Sequence, residues 1–351
     1  MQAAVLKNDK EIIFSEVPMP TFGLGQVLIR VNWSSICGTD LHIYLGEFKE
    51  RVKYPRILGH EFAGVVQSAG SGVKNLKAGD RVTVDPIIWC NQCPACLNGQ
   101  NNVCRNLKLL GIEYDGGFAD YVVAEADKVF KVPDSVSLKD AALIELYSLG
   151  VHSARKAQIE PGDRVVILGA GRLGLAVLEV IKQTAAAWVC TVDVIDSRLN
   201  IAKKMGADLT LNATAEDPVE KILSQTDGLG VDRVIECVGS YVKIPGREGP
   251  VQQAVKMSRS GGRIVVMGLG SQLTPVFWKE CVFKELQIIG SRVTLGDYPR
   301  ALRLMELNKF HPDLMVTEVF ELKQLDQAFQ LLEDKPDQYL KLLVKNEKDN
   351  K

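Results

Sequence analysis

Up to about residue 150 the apolar positions come in short runs. QVLIRVN, EFAGVVQSAG, DRVTVD and FADYVVAEA are rich in β-branched residues and bounded by Gly, Asp or Pro. That pattern predicts short strands joined by turns. Near Pro161 the pattern changes. DRVVILGAG is an apolar run ending in glycines, and LGLAVLEVIKQ comes next with helical spacing. Then come WVCTVDV as a strand, SRLNIAKKMGA as a helix, and VDRVIECVG, GRIVVMGLG and LQIIGS as strands. Near-continuous apolar strands separated by helices predict a parallel sheet covered on both faces. The fold class expected is therefore α/β, with an irregular β domain and a Rossmann-type doubly wound domain over 150–287. After that, DYPRALRLMELNK and LDQAFQLLEDK have amphipathic helical spacing, and YLKLLVK is a closing strand. These return to the first domain, which then comprises 1–149 and 288–351. No internal repeat is evident.

A length of 351 residues suits two domains, and 46% hydrophobic residues suffice for two cores. The net charge of −1 balances 42 basic against 43 acidic residues. No basic tract appears, so nucleic acid is not expected as a partner. No apolar run approaches the roughly 20 residues that span a bilayer, so a membrane is not expected either. The opening MQAAVLKNDK is unlike a secretory leader, and a cytoplasmic protein is expected. The tail NEKDNK is expected to fray.

Four of the eight cysteines lie in WCNQCPACLNGQNNVCRN, spaced C-x2-C-x2-C-x7-C. Cys90, Cys93, Cys96 and Cys104 suit a closed structural zinc site. Pro94, Asn98, Gly99, Asn101 and Asn102 supply turns between them, so 86–108 is expected as a lobe without helix or strand. Two disulfides or an iron–sulfur cluster are the competing readings. Cys190, Cys237 and Cys281 lie in or near apolar stretches and are expected as small buried hydrophobes.

Gly169-Ala170-Gly171-Arg172-Leu173-Gly174 comes directly after a strand and opens a helix. In that context G-x-G-x-x-G marks a dinucleotide site. Gly169 permits the tight turn, Gly171 lets pyrophosphate approach and Gly174 lets helix and strand pack closely. Asp193 ends the next strand about twenty residues on, where a carboxylate accepts from ribose hydroxyls. Earlier, Cys37-Gly38-Thr39-Asp40-Leu41-His42 ends one strand and Gly59-His60-Glu61 begins another. Cysteine, histidine and carboxylate are the ligand types of a catalytic zinc with one open position.

Taken together, CGTDLH, GHE, the four-cysteine lobe, AALIE and the glycine fingerprint occur in the order found in one family. The chain resembles a zinc-dependent medium-chain alcohol dehydrogenase of the sorbitol, threonine and butanediol dehydrogenase branch, over essentially its whole length. The resemblance implies a chaperonin-10-like β domain beside the dinucleotide domain, with the active site in the cleft between them. It implies two zinc ions per chain and NAD. Cys37, His60 and Glu61 match catalytic zinc ligands. Glu145 matches a further carboxylate that binds the ion or its water, and which glutamate ligates is left open. Asp40 matches the residue that orients the histidine, Thr39 the proton-relay hydroxyl, and His42 the next step to solvent. Asp193 and Arg198 match ribose contacts, and Leu173 a contact to the cofactor backbone. Gly268, Leu269 and Arg292 fall near strand ends where the nicotinamide is expected. Tyr44, Phe48, Trp89 and Phe118 are candidate pocket walls, with ordinary packing as the alternative. His152 and His311 are expected to be structural or exposed.

The chain departs from the family pattern at Arg172 and Leu146, each where proline is common. SYVKIPGREGPVQQ, over 240–253, is longer than usual. The activity implied is oxidation of a secondary alcohol, a polyol or sugar alcohol first and a threonine or butanediol substrate second. The chain is expected to form a dimer or tetramer. A non-catalytic nucleotide-binding protein or a zinc-free quinone reductase on the same fold is the reading from another class.

Overall fold

The computed structural model describes residues 1–239, 248–270 and 273–346. They form two compact units. The first takes in 1–145, 298–308 and residues from 312 onward, and the second takes in 146–297 and 309–311.

The main sheet of the first unit runs Val129–Lys131, Arg81–Val84, Glu61–Ala69, Gln26–Ser35, Lys341–Lys345 and Val316–Glu321. Tyr121–Glu125 adds to Gln26–Ser35. Val27, Ile29, Val31, Phe62, Val66 and Val82 fill the core beneath it. Strand register decides which residues meet at the sheet's end. Gln26–Ser35 pairs antiparallel with Glu61–Ala69, setting Ser35 opposite Glu61. It also pairs with the closing strand, setting Ser35 opposite Leu343. Three chain segments remote in sequence thus end at one place. A hairpin of Gln2–Asn8 and Glu11–Glu16 precedes them, and sequence alone did not predict it. Its second strand lacks clean alternation, so its period is faint.

The cysteine lobe is more regular than expected. Pro94–Leu97 is a helical turn and Asn101–Val103 a 3-10 turn. Pro94 takes the first helical position, where its fixed φ suits a helix and its missing N–H is not needed. Ile87–Ile88 and Lys108–Leu109 pair antiparallel at the base of the lobe.

The second unit is a six-stranded parallel sheet. Its order is Leu209–Asn212, Trp188–Asp193, Arg164–Leu168, Val231–Glu236, Ser258–Val266 and Gln287–Gly290. This is the doubly wound order, reversing at Arg164–Leu168. Val166, Cys190, Val234, Ile264 and Cys281 share one core.

The unit boundaries differ from those expected at 149 and 287. The first falls inside the helix Ile144–Ala157, between Glu145 and Leu146. The second falls after Asp297, because Gln287–Gly290 is the sixth strand of the sheet and belongs with it. Of the long segment 240–253, residues 240–247 lie outside the described residues, as does the tail from 347. Pro250–Met257 is a helix.

Asp297 closes the second unit. Its Oδ2 lies 2.9 Å from His152 Nδ1 and accepts the Leu295 N–H at 2.9 Å. Arg155 donates to Oδ1 at 2.5 Å. Burial alone would raise this carboxyl, but His152, the Leu295 N–H and Arg155 outweigh it and hold Asp297 below its ordinary 3.8. A depressed carboxylate stabilises the fold above its ordinary value and stops doing so as pH falls through its folded value. Asp297→Ala is expected to destabilise this unit by about 1–3 kcal/mol at neutral pH, as loss of an acceptor that leaves buried donors unpaired does. Thermal unfolding across pH checks this: the gap from wild type should narrow below pH 3.8.

Candidate metal and cofactor sites

Cys37 is the residue before the helix Gly38–Tyr44. Asp40 turns back so that its Oδ2 accepts the Cys37 N–H at 2.8 Å. Its Oδ1 accepts from the Gly59 N–H at 3.3 Å. The same oxygen stands 3.3 Å from His60 Nδ1, an ion-pair distance without hydrogen-bond alignment. Asp40 therefore ties together the two segments that carry the expected ligands. Sγ of Cys37, a ring nitrogen of His60 and a carboxylate oxygen of Glu61 lie within 4.8 Å of one another. Burial works against a charged His60, but Asp40 and Cys37 prevail and raise it well above the usual histidine value.

The two glutamates differ. Oε2 of Glu61 accepts from Lys341 Nζ and Ser35 Oγ, while Oε1 has no partner among the described residues. Lys341 has no exposed surface and also donates to the Ile36 carbonyl at 3.2 Å. Glu61 thus has one oxygen anchored and one left over. Glu145 is not in that close group. It is buried, its Oε2 has no partner among the described residues, and burial together with the charge of Glu61 pushes it up to about 7. A buried donor set of S, N and O with an orphaned oxygen fits zinc, and Glu145 is the adjacent carboxylate rather than a member of the triad. Sequence reasoning missed Lys341 and Ser35. The available signal was a lysine within the apolar run YLKLLVK.

Thr39 is half-buried on the same short helix, and His42 is exposed one turn later. Residues three apart share a helix face. His42 Nδ1 lies 2.9 Å from Glu47.

In the lobe, the sulfurs of Cys93 and Cys96 are 3.5 Å apart, those of Cys90 and Cys104 3.5 Å, and those of Cys93 and Cys104 3.9 Å. A disulfide needs about 2.05 Å, so none is formed. Four sulfurs around zinc at about 2.3 Å stand roughly 3.8 Å apart, which fits; a multi-iron cluster needs a wider cage. The backbone N–H groups of Cys96 and Arg105 pull the Cys93 thiol down, while burial pushes Cys96 up.

The glycine loop of the second unit has the shape a pyrophosphate needs. Gly169 has φ of +99°. A Cβ at Gly171 would meet nothing within 4 Å, leaving open space before the helix Arg172–Ile181. A Cβ at Gly174 would lie 1.8 Å from the Gly169 carbonyl oxygen, so only glycine permits this approach. Asp193 accepts the Ala170 N–H at 2.6 Å on one oxygen and those of Val194 and Ile195 at 2.8 and 3.0 Å on the other. The expected ribose ligand is thus already fixed against the loop. Leu173 and Arg198 are half-buried, and Arg292 is exposed. Gly268 and Leu269 come just after the strand Ser258–Val266, with Leu269 84% exposed.

The pocket-wall expectation fails for two aromatics. Tyr44 stacks on Phe329 at 4.9 Å and Phe118 meets the same ring edge-on at 6.2 Å. Both are buried and offer no surface to a ligand. Phe48 is exposed, and Trp89 lies beneath Lys128 with its Nε1 donating to Asn91 at 2.7 Å. His152 is structural, and His311 caps buried Glu179 from the surface at 2.8 Å. Cys190 and Cys281 are buried, whereas Cys237 is half-buried.

Residues 23–134 match the family described as Alcohol dehydrogenase GroES-like domain, and 173–306 match Zinc-binding dehydrogenase. Sorbitol dehydrogenase of Bacillus subtilis (strain 168) is 34% identical over 98% of this chain and 97% of its own. L-threonine 3-dehydrogenase of Pyrococcus horikoshii is 36% identical over 92% and 91%. A crystal structure of an alcohol dehydrogenase from Escherichia coli CFT073 complexed with NADH superposes with a TM-score of 0.89, at 31% identity over 98% and 99% of the two chains. A zinc-binding dehydrogenase from Sinorhizobium meliloti 1021 bound to NADP gives 0.91, at 31% identity over 98% of each.

The two ligand sets predict separable metals. Elemental analysis of purified protein is expected to give two zinc ions per chain, falling to one in Cys96→Ser and to one in Cys37→Ser. Only Cys96→Ser should lower the melting temperature substantially, because a structural metal contributes folding free energy. Equal melting of all three proteins would contradict the division of roles.

Proposed function

The chain belongs to the zinc-type medium-chain alcohol dehydrogenase family and is an alcohol or polyol dehydrogenase; from that footing we propose that it oxidises the secondary alcohol of a small polyol or sugar alcohol to a ketone with NAD⁺. The observation that carries this is the buried group of Cys37, His60 and Glu61 with its unpartnered Glu61 oxygen, beside a second buried carboxylate at Glu145. Similarity to sorbitol dehydrogenase supports the polyol.

When bound, zinc would supply Lewis acidity at the alcohol oxygen and the nicotinamide would supply the hydride acceptor. The chain's residues do the rest. Cys37, His60 and Glu61 would hold the metal, with Asp40 beside His60. Lys341 and Ser35 hold the far oxygen of Glu61. Glu145 offers its oxygen to a neighbouring hydroxyl or water. Thr39 Oγ1 takes the proton from the substrate hydroxyl, and exposed His42 passes it to solvent. Gly169, Gly171 and Gly174 shape the pyrophosphate loop, with Leu173 and Arg198 beside it. Gly268, Leu269 and Arg292 are assigned to the nicotinamide side. Phe48 is retained as a pocket residue.

A threonine or diol dehydrogenase is the second reading, favoured by the similarity to L-threonine 3-dehydrogenase. A homo-oligomer, dimer or tetramer, is proposed because Trp278, Val282 and Phe283 on the short helix Trp278–Phe283, and Phe277 just before it, are all exposed. No helix among the described residues is long and apolar enough to cross a membrane. A cytoplasmic setting suits the free thiols.

The deciding measurement is kcat/KM for polyols, sugars and hydroxy amino acids with NAD⁺ and NADP⁺. A sugar alcohol should lead, and threonine leading would install the second reading. NAD⁺ should lead NADP⁺ by at least tenfold, since a 2′-phosphate beside Asp193 brings like charges together; leaving such a group unpaired costs about 1–3 kcal/mol. Asp193→Ser should narrow that ratio. Thr39→Val should lower kcat about 10²–10⁴-fold without changing NADH affinity. Near-normal turnover in Thr39→Val would remove it from the relay.

A further inference from the structure

Glu236 is the last residue of the strand Val231–Glu236, and only 1% of it is exposed. Its Oε1 accepts the N–H groups of Val238 at 2.7 Å and Gly239 at 2.9 Å. Its main-chain carbonyl accepts those of Met267 at 2.8 Å and Gly268 at 3.2 Å. One residue therefore ties the turn after its own strand to the turn after the neighbouring strand.

The two turns cross backbone against backbone. A Cβ at Gly239 would lie 2.3 Å from the Leu269 nitrogen, and one at Gly268 would lie 2.0 Å from the Gly239 nitrogen. The Gly268 Cβ would also come within 2.7 Å of Glu236 Oε2. That oxygen is buried and has no partner among the described residues. The glycine fingerprint adjoins the same place: a Cβ at Gly169 would meet Val238 at 3.0 Å, and the Cys237 N–H donates to the Leu168 carbonyl at 2.9 Å. All three turns lie at the carboxyl ends of parallel strands, where open α/β sheets bind ligands. Asp193 stands on one side of the reversal in strand order and Glu236 on the other. A dinucleotide lying across that point sets its adenosine toward Asp193 and its nicotinamide toward Gly239 and Gly268.

We propose that Glu236 is a positioning residue for the nicotinamide half of the cofactor, its carboxylate and carbonyl fixing the crossed turns at 237–239 and 267–269 in one arrangement. This rests on the reading of the second unit as a dinucleotide site. A buried anion accepting main-chain N–H groups forms strong, short bonds, so the turns are held before the ligand arrives. Glu236 itself does not touch the ligand.

Calorimetric titration of the zinc-replete protein with NADH and, separately, AMP tests it. Glu236→Ala should raise the Kd for NADH at least tenfold while AMP stays within threefold of wild type. Glu236→Gln keeps an acceptor for the Val238 and Gly239 N–H groups and should restore NADH to within threefold. Where the alanine variant does not fold, Glu236→Asp keeps the charge but retracts the carboxylate, and should show the same split between NADH and AMP. NADH affinity within threefold of wild type in these truncating variants overturns the proposal, and so does equal loss of NADH and AMP, which marks general damage to the sheet. Wild-type protein that binds neither ligand overturns the dinucleotide reading instead.

Discussion

The ammonium of Lys341 lies with no exposed surface between the Ile36 carbonyl and the Glu61 carboxylate. Taking such ions out of water carries a penalty of several kcal/mol for each. That penalty is met only if each ion finds a partner at once. The sheet provides this through register, since Ser35, Glu61 and Lys341 arrive at one end of three paired strands. Around them stand Cys37, Asp40 and Glu145, all able to be anionic. Lys341 neutralises one oxygen of Glu61 and leaves the other. The Cys37 sulfur, a His60 ring nitrogen and a Glu61 oxygen lie within 4.8 Å of one another, a donor set that a divalent cation would satisfy. Glu145, without such a partner, is instead pushed toward its neutral form.

The second unit solves a different problem by a different means. A pyrophosphate and a nicotinamide ring need main-chain atoms close at hand, and side chains stand in the way. At Gly174, Gly239 and Gly268 an added Cβ would fall within 2.3 Å of backbone atoms. Turns that cross so closely gain little from side-chain packing, so they need fixing by hydrogen bonds. Asp193 and Glu236 provide it, each accepting N–H groups of the turns beside them. The first unit organises charge around a metal position; the second organises bare backbone around a ligand surface.

How legible each feature is in the sequence depends on how local it is. The glycine fingerprint, the cysteine spacing and the CGTDLH and GHE segments are contiguous, and their chemistry depends on neighbours a few residues away. Lys341 escaped notice because its meaning comes from Glu61, which lies 280 positions earlier and reaches it only through strand pairing. Glu236 escaped notice because a glutamate ending an apolar strand has the look of a solvated end; here both turns fold over it. Tyr44 and Phe118 were expected at the pocket on residue type alone, and packing around Phe329 placed them in the core instead. The choice between Glu61 and Glu145 was open in the sequence, since both are carboxylates near the right segments. Register anchors one Glu61 oxygen through Ser35 and Lys341.

The same difference in locality separates the two metal positions. Cys90 to Cys104 is a short loop, and closing a short loop carries a small entropic cost. Cys90 and Cys96 are partly open to solvent, while Cys93 and Cys104 are buried. A metal there does what a core does elsewhere, so binding and folding are one event. Cys37, His60 and Glu61 are brought together by strands that also bury Val27, Ile29, Val31 and Phe62. That core exists whether or not an ion is bound. On the proposed reading, an ion in the four-cysteine lobe would act through the stability of the chain, and one at Cys37, His60 and Glu61 would enter a site that strand pairing has already built.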